Sequence, residues 1–131
     1  MIVIDASVLA NVVGDDAGDG LRARQEFRAA DGVAAPDLVD VETTAVLRRR
    51  WLTGTITDQR FADAVTDLQD LHFDRYPTLQ FMARAYELRA NVTAYDAAYV
   101  ALAEELDCEL LTADTRLGQA PGPRCAIRVL R

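Results

Sequence analysis

Asp5, Glu42, Asp96 and Asp114 are the residues with the most chemical promise in this sequence. Asp5 ends the apolar run Met1-Ile2-Val3-Ile4, and Asp114 follows a second, Leu110-Leu111-Thr112. Glu42 and Asp96 fall near the starts of two helical patterns. In an open parallel sheet, the carboxyl ends of strands and the adjoining helix starts form the ligand crevice. Acids from four distant segments meeting there repel one another, and a divalent cation is the usual remedy. Such a cation lowers the pKa of water enough to attack a phosphodiester without a histidine base.

Each acid also has a purely structural role open to it. Asp5 precedes a helical pattern at residues 6–13 and is a good N-cap for it. Glu42 has Leu38, Ala45 and Val46 as helical neighbours, so it lies on or beside an apolar face, where a charged group points to function; the alternative is a salt bridge to Arg48 or Arg49. Asp96 follows Thr93 at capping-box spacing, with Asp in place of Glu. Asp114 could cap the short turn Asp114-Thr115-Arg116-Leu117. If the chain stays extended there, Thr112 and Asp114 project to the same side. The combination says more than any single member, because an alternating topology brings all four together.

The elements that must position these groups are legible as apolar periodicity and punctuation. Residues 2–5 read as a buried strand, 6–13 as a short helix, and Gly14–Gly20 as a polar, glycine-rich loop. A helix over residues 21–30 leads to a strand at Val33-Ala34-Ala35, closed by Pro36. Asp37 is an expected N-cap for a helix reaching Thr53 and stopping at Gly54. Thr57 or Asp58 starts another, carrying Phe61, Ala62, Val65 and Leu68 at helical spacing. A third strand is expected over residues 72–76, ended by Pro77, then a helix over 79–90 and another from Thr93 or Ala94. Residues 109–112 and 125–130 supply the last two strands. Strands alternating with helices imply a parallel sheet covered on both faces.

Composition narrows the rest. At 131 residues and 50% hydrophobic, the chain is expected to fold as one domain spanning residues 1–131. No run of about 18 uncharged apolar residues is present, so no membrane span is expected. A secretory leader is not expected either: there is no basic n-region, and Asp5 interrupts the only early apolar run. Cys108 and Cys125 are too few for a structural zinc site and read as packing residues in a reducing cytoplasm. The lone His72, set between Leu71 and Phe73, offers little for triad chemistry. The net charge of −7 argues against gripping nucleic acid by bulk electrostatics. All 14 basic residues are arginine, which excludes mechanisms that need a catalytic lysine.

On these residues the chain resembles the PIN-domain ribonucleases and, among them, the VapC-type toxins of bacterial toxin–antitoxin pairs. The resemblance is carried by Ile2-Val3-Ile4-Asp5-Ala6-Ser7-Val8, by the helix acid Glu42, by the block from Tyr95 to Ala103, and by the block from Leu110 to Leu117. It spans nearly the whole chain. It implies a three-layer α/β/α sandwich with about five parallel strands in the order 3-2-1-4-5. It implies an acidic site of Asp5, Glu42, Asp96 and Asp114 that holds Mg²⁺ or Mn²⁺, with Ser7 and Thr112 as polar groups behind the acids. It further implies an RNA substrate, a co-expressed antitoxin and a homodimer.

The arginine run Arg48-Arg49-Arg50 beside Trp51 could contact an RNA backbone, cap a solvated helix end or meet an acidic partner. Val8, Leu9, Val12 and Val13 could line a groove for an antitoxin helix or simply pack the core. Rival folds fail on single residues. A phosphoacceptor receiver needs a lysine on its last strand, and a haloacid-dehalogenase-type phosphatase needs an acid where Ser7 stands. A degenerate domain that works through protein binding is the alternative to an enzyme.

Overall fold

The computed structural model covers all 131 residues, Met1–Arg131. Five strands form one sheet in the order β3-β2-β1-β4-β5, with every neighbouring pair parallel. β1 (Ile2–Ile4) lies at the centre, flanked by β2 (Val33–Pro36) and β4 (Glu109–Thr112). β3 (Asp74–Tyr76) and β5 (Ile127–Val129) form the edges. The inner strands are almost wholly buried and apolar, whereas both edge strands retain exposed or half-buried side chains. That gradient is expected of a parallel sheet covered on two faces. The expected order and layering are both present.

On one side, α1 (Ala6–Gly14) packs against α2 (Gly18–Ala29), α3 (Val39–Leu52) and α4 (Asp58–Asp70). A second group comprises α5 (Met82–Glu87) and α6 (Ala94–Glu105), with α6 lying across β1, β2 and β4. The short α7 (Thr115–Gln119) joins β4 to β5. Ile4, Leu9, Leu47, Tyr99, Leu102, Leu110 and Leu111 are among the large side chains at the centre of the core. α6 is buried from Ala97 through Ala103, and its small alanines let it lie close to the sheet. No helix is long and apolar enough to cross a membrane.

Several boundaries differ from the sequence expectations, each for a tertiary reason. Asp37 does not cap α3; its carboxylate instead accepts from the backbone N–H of Thr78 (3.1 Å) and from its hydroxyl (2.6 Å). Thr78 in turn accepts from the N–H of Leu38, so this pair staples the start of α3 to the turn after β3. The helix expected over residues 79–90 is a 3-10 turn at Thr78–Phe81 followed by α5. Its apolar stripe Phe81, Ala85, Leu88 and Val92 is nonetheless buried as a helical spacing demands. α2 begins earlier than expected, because Asp15 accepts from the N–H groups of Ala17 and Gly20 and so nucleates it. Gly20 is required there: a Cβ would meet the carbonyl oxygen of Asp15 at 1.8 Å. His72 lies outside β3 and is exposed. Val8, Leu9 and Val13 are buried in the core, which leaves only Val12 of that set half-accessible.

The edge strand β5 is fastened by charge. Arg128 makes a two-pronged contact with Glu26 of α2 at 2.7 and 2.9 Å and also reaches Glu109 of β4 at 2.7 Å. Upstream, Glu104 binds Arg84 at 2.8 Å and accepts from the N–H of Arg124 at 2.7 Å, ordering the approach to β5. A two-pronged arginine contact is the strong form of an ion pair, although solvent screens one that is partly exposed. Arg128→Ala is expected to lower the melting temperature by a few degrees. Thermal melts at low and high salt check this, and the deficit should shrink as salt rises.

Candidate active site

Asp5 is the hub of the strand-end crevice. It is only 6% exposed, directly after β1, and caps α1 by accepting from the N–H of Val8 at 3.2 Å. Its Oδ1 also accepts from the Ser7 hydroxyl at 2.5 Å, and its Oδ2 accepts from the Thr112 hydroxyl. Those two hydroxyls are held from behind. Ser7 accepts from the N–H of Ala113 at 3.0 Å, and Thr112 accepts from the N–H of Asp114 at 3.0 Å. Each hydroxyl has one proton to give, and each gives it to Asp5 while receiving a backbone N–H. The cap and the site are thus one arrangement, and the loop that carries Asp114 is tied through Ser7 and Thr112 to Asp5.

Asp96 lies in the first turn of α6, beside its N-cap Thr93, whose hydroxyl accepts from the N–H of Asp96 at 3.1 Å. A helix N-terminus favours the ionised carboxylate. Asp114 caps α7 by accepting from the N–H of Arg116 at 2.9 Å, with the guanidinium of Arg116 a looser 3.6 Å away. Asp96, Asp114, Thr93 and Arg116 line the same small cavity. Glu42 comes from α3, beside its buried stripe of Val39, Thr43 and Leu47, while its neighbour Ala45, expected on an apolar face, is exposed. No arginine forms an ion pair with it. The hydroxyl of Tyr99 donates to its Oε1 at 2.6 Å.

The acids feel one another. Burial is the main reason that the Asp5, Glu42 and Asp96 carboxyls all lie above their ordinary range. Asp96 pushes Asp5 up further, Asp96 and Asp5 push Glu42 up, and Asp114 pushes Asp96 up. Opposing this, hydrogen bonds from Ser7, Thr112 and Val8 favour ionised Asp5, and one from Tyr99 favours ionised Glu42. None of these three acids pairs with an arginine at salt-bridge distance. Arg49 and Arg116 are close enough to lower Glu42 and Asp96 respectively, but as the weakest contributors. The side chains do not converge as a ready-made cage of three ligands. The donor set is nonetheless all oxygen, negatively charged, crowded and short of cations, which suits a hard divalent ion such as Mg²⁺ or Mn²⁺.

The expected arginine run divides in two. Arg50 turns inward to Asn11 Oδ1 at 2.7 Å, whereas Arg48 and Arg49 remain exposed. Trp51 lies against Phe61, with ring centroids 6.2 Å apart. Tyr99 is the site residue that sequence reasoning missed. It reads as one more core position of α6, and its spacing from Asp96, three residues on the same helix face, was the available signal.

The buried acids set a sign for the dependence of stability on pH. A carboxyl raised in the folded state binds protons more readily there than in the unfolded chain. Its cost is therefore fully present above the folded-state pKa and is relieved as pH falls toward the ordinary carboxylate range. Asp5→Asn removes that charge. In chelator, its melting temperature is expected to exceed that of the parent by a few degrees near neutral pH, and the gap should close on acidification. Paired thermal melts across this range check it; a deficit at every pH would mean that the lost hydrogen bonds outweigh the burial.

Residues 2–123 match the PIN domain family. Ribonuclease VapC9 of Mycobacterium tuberculosis is 42% identical over 134 residues, covering 99% of this chain and 98% of its own. Ribonuclease VapC1 of the same organism is 44% identical over 98 residues, or 74% of each chain. Among solved structures, Mycobacterium tuberculosis VapC20, described as a sarcin–ricin loop cleaving toxin, superposes with a TM-score of 0.66 at 15% identity, covering 84% of this chain and 87% of that one. FitAcB from Neisseria gonorrhoeae gives 0.59 at 13% identity, with 97% and 96% covered. At those identities the structural likeness establishes the fold, and the sequence likeness establishes the kinship: this chain belongs to the PIN-domain family, among the VapC ribonucleases.

Proposed function

We infer that this chain is the toxin of a toxin–antitoxin pair, an endoribonuclease that cleaves RNA phosphodiester bonds at the crevice around Asp5 with Mg²⁺ or Mn²⁺ as cofactor. Kinship with the VapC ribonucleases supports the RNA-cleaving activity. The observation that carries the metal dependence is the state of Asp5, Glu42 and Asp96. All three are pushed up by burial and mutual charge, yet none has an arginine to neutralise it. A structural role alone would be better served by neutral side chains, because uncompensated buried charge is costly.

Asp5, Glu42, Asp96 and Asp114 would hold the ion, directly or through water. When bound, it supplies Lewis acidity and lowers the pKa of a water molecule. The chain's own groups do the remaining work. Ser7 and Thr112 keep Asp5 oriented as an acceptor, and the N-terminal dipole of α6 favours the ionised form of Asp96 against the burial that opposes it. Arg49, near Glu42, and Arg116, near Asp96, are exposed cations available to RNA phosphates. With so few of them on an acidic chain, binding is expected to be weak and salt-sensitive, with selection by RNA shape.

The same uncompensated acids are a natural target for an arginine fork from an antitoxin. Self-association belongs to this proposal through the family resemblance. Exposed Leu79, Met82 and Tyr86, at three- and four-residue spacing, form one apolar stripe available to a second copy.

Incubation of the purified chain with total cellular RNA and Mg²⁺ or Mn²⁺ tests the reading. Discrete fragments are expected, abolished by chelator and reduced at least about a hundredfold by Asp96→Asn. Cleavage that survives chelation would sink the metal dependence. Inert RNA together with no metal binding would leave the domain a protein-binding module.

A further inference from the structure

We propose that Tyr99 is a positioning residue for Glu42: its buried hydroxyl, reaching from α6 to α3, holds that carboxylate in the orientation from which a divalent cation is taken up. The inference rests on the metal-dependent reading above and adds to it a residue that lies outside the acid cluster.

Glu42 has one side-chain partner in the whole structure, the Tyr99 hydroxyl at 2.6 Å. Asp5, by contrast, accepts three hydrogen bonds. A half-buried glutamate facing two other acids has every reason to swing toward solvent, since its side chain gains rotamer freedom and escapes like charge. The tyrosine opposes this. Its ring is 1% exposed and packed within α6, so the hydroxyl has little freedom of its own. A carboxylate can only accept, which fixes the direction of donation from tyrosine to glutamate. The bond occupies Oε1 and leaves Oε2 without a partner. Tyr99 also lies three residues after Asp96 on the same face of α6, so a single rigid helix presents one acid and tethers another. Phenylalanine would fill the same space in the core. The hydroxyl is the part that packing does not require.

The test is Mn²⁺ binding by the metal-free full-length chain, followed by calorimetry or by loss of the free-ion EPR signal. It compares the parent, Tyr99→Phe, Glu42→Ala and the double variant. Tyr99→Phe is expected to weaken Mn²⁺ binding by about tenfold, the scale seen when a group behind a metal ligand is removed. Its melting temperature should stay within a few degrees of the parent. In the Glu42→Ala background, Tyr99→Phe should cause no further loss, because the residue through which it acts is gone. Parent-like Mn²⁺ affinity in Tyr99→Phe would overturn the proposal. So would a tenfold loss that persists undiminished without Glu42, since that marks an effect of packing. A parent chain that binds no Mn²⁺, or a Glu42→Ala variant that binds as tightly as the parent, would overturn the metal reading itself and this proposal with it.

Discussion

The constraint on which the rest of the structure depends is the repulsion among carboxylates held together at the end of a parallel sheet. Asp5, Glu42 and Asp96 are each raised by burial, and each is raised further by a neighbouring acid. Left to themselves, these groups would separate. They are kept close by elements whose placement is settled elsewhere: β1 at the centre of the sheet, α6 lying across three strands, and α3 stapled through Asp37 and Thr78. Burial of the apolar core stabilises the fold enough to carry this cost.

The acids are steadied by hydroxyls and backbone N–H groups, not by cations. Ser7 and Thr112 each relay a backbone N–H from the β4–α7 loop to one oxygen of Asp5, and Tyr99 does comparable work for Glu42. This choice has a chemical consequence. An arginine at these positions would neutralise the cluster and, with it, the negative charge on which the proposed metal binding rests. A hydroxyl orients a carboxylate while leaving its charge in place.

The arginines are deployed in keeping with this. Arg60 and Arg84 bind acids away from the crevice, Arg128 locks the edge strand, and Arg50 is drawn into the end of α1. Near the acids, only Arg49 and Arg116 contribute positive charge, and both do so weakly. On the proposed metal-dependent reading, a chain with a net charge of −7 would attract phosphate to this site once a divalent ion is bound.

Much of this was legible from residue order. The apolar runs ending in Asp5 and Thr112, the alternation of strand and helix patterns, and the recurrence of acids at strand ends and helix starts are local features, so composition and spacing carry them. Helix boundaries set by partners far along the chain were not legible. Asp37 looks like a cap until Thr78, 41 residues away, takes its carboxylate. The same limit hid Tyr99, which is indistinguishable from a core aromatic until Glu42, 57 positions earlier, is brought to its hydroxyl. Ser7 and Thr112 were named by family resemblance, yet only the folded chain shows them passing backbone N–H groups on to Asp5. Sequence by itself determined which residues could do chemistry and in what order the elements carry them, because side-chain type and periodicity are written locally. The tertiary structure alone decided which hydroxyl serves which acid, because a hydrogen bond spanning most of the chain depends on where the sheet and helices come to rest.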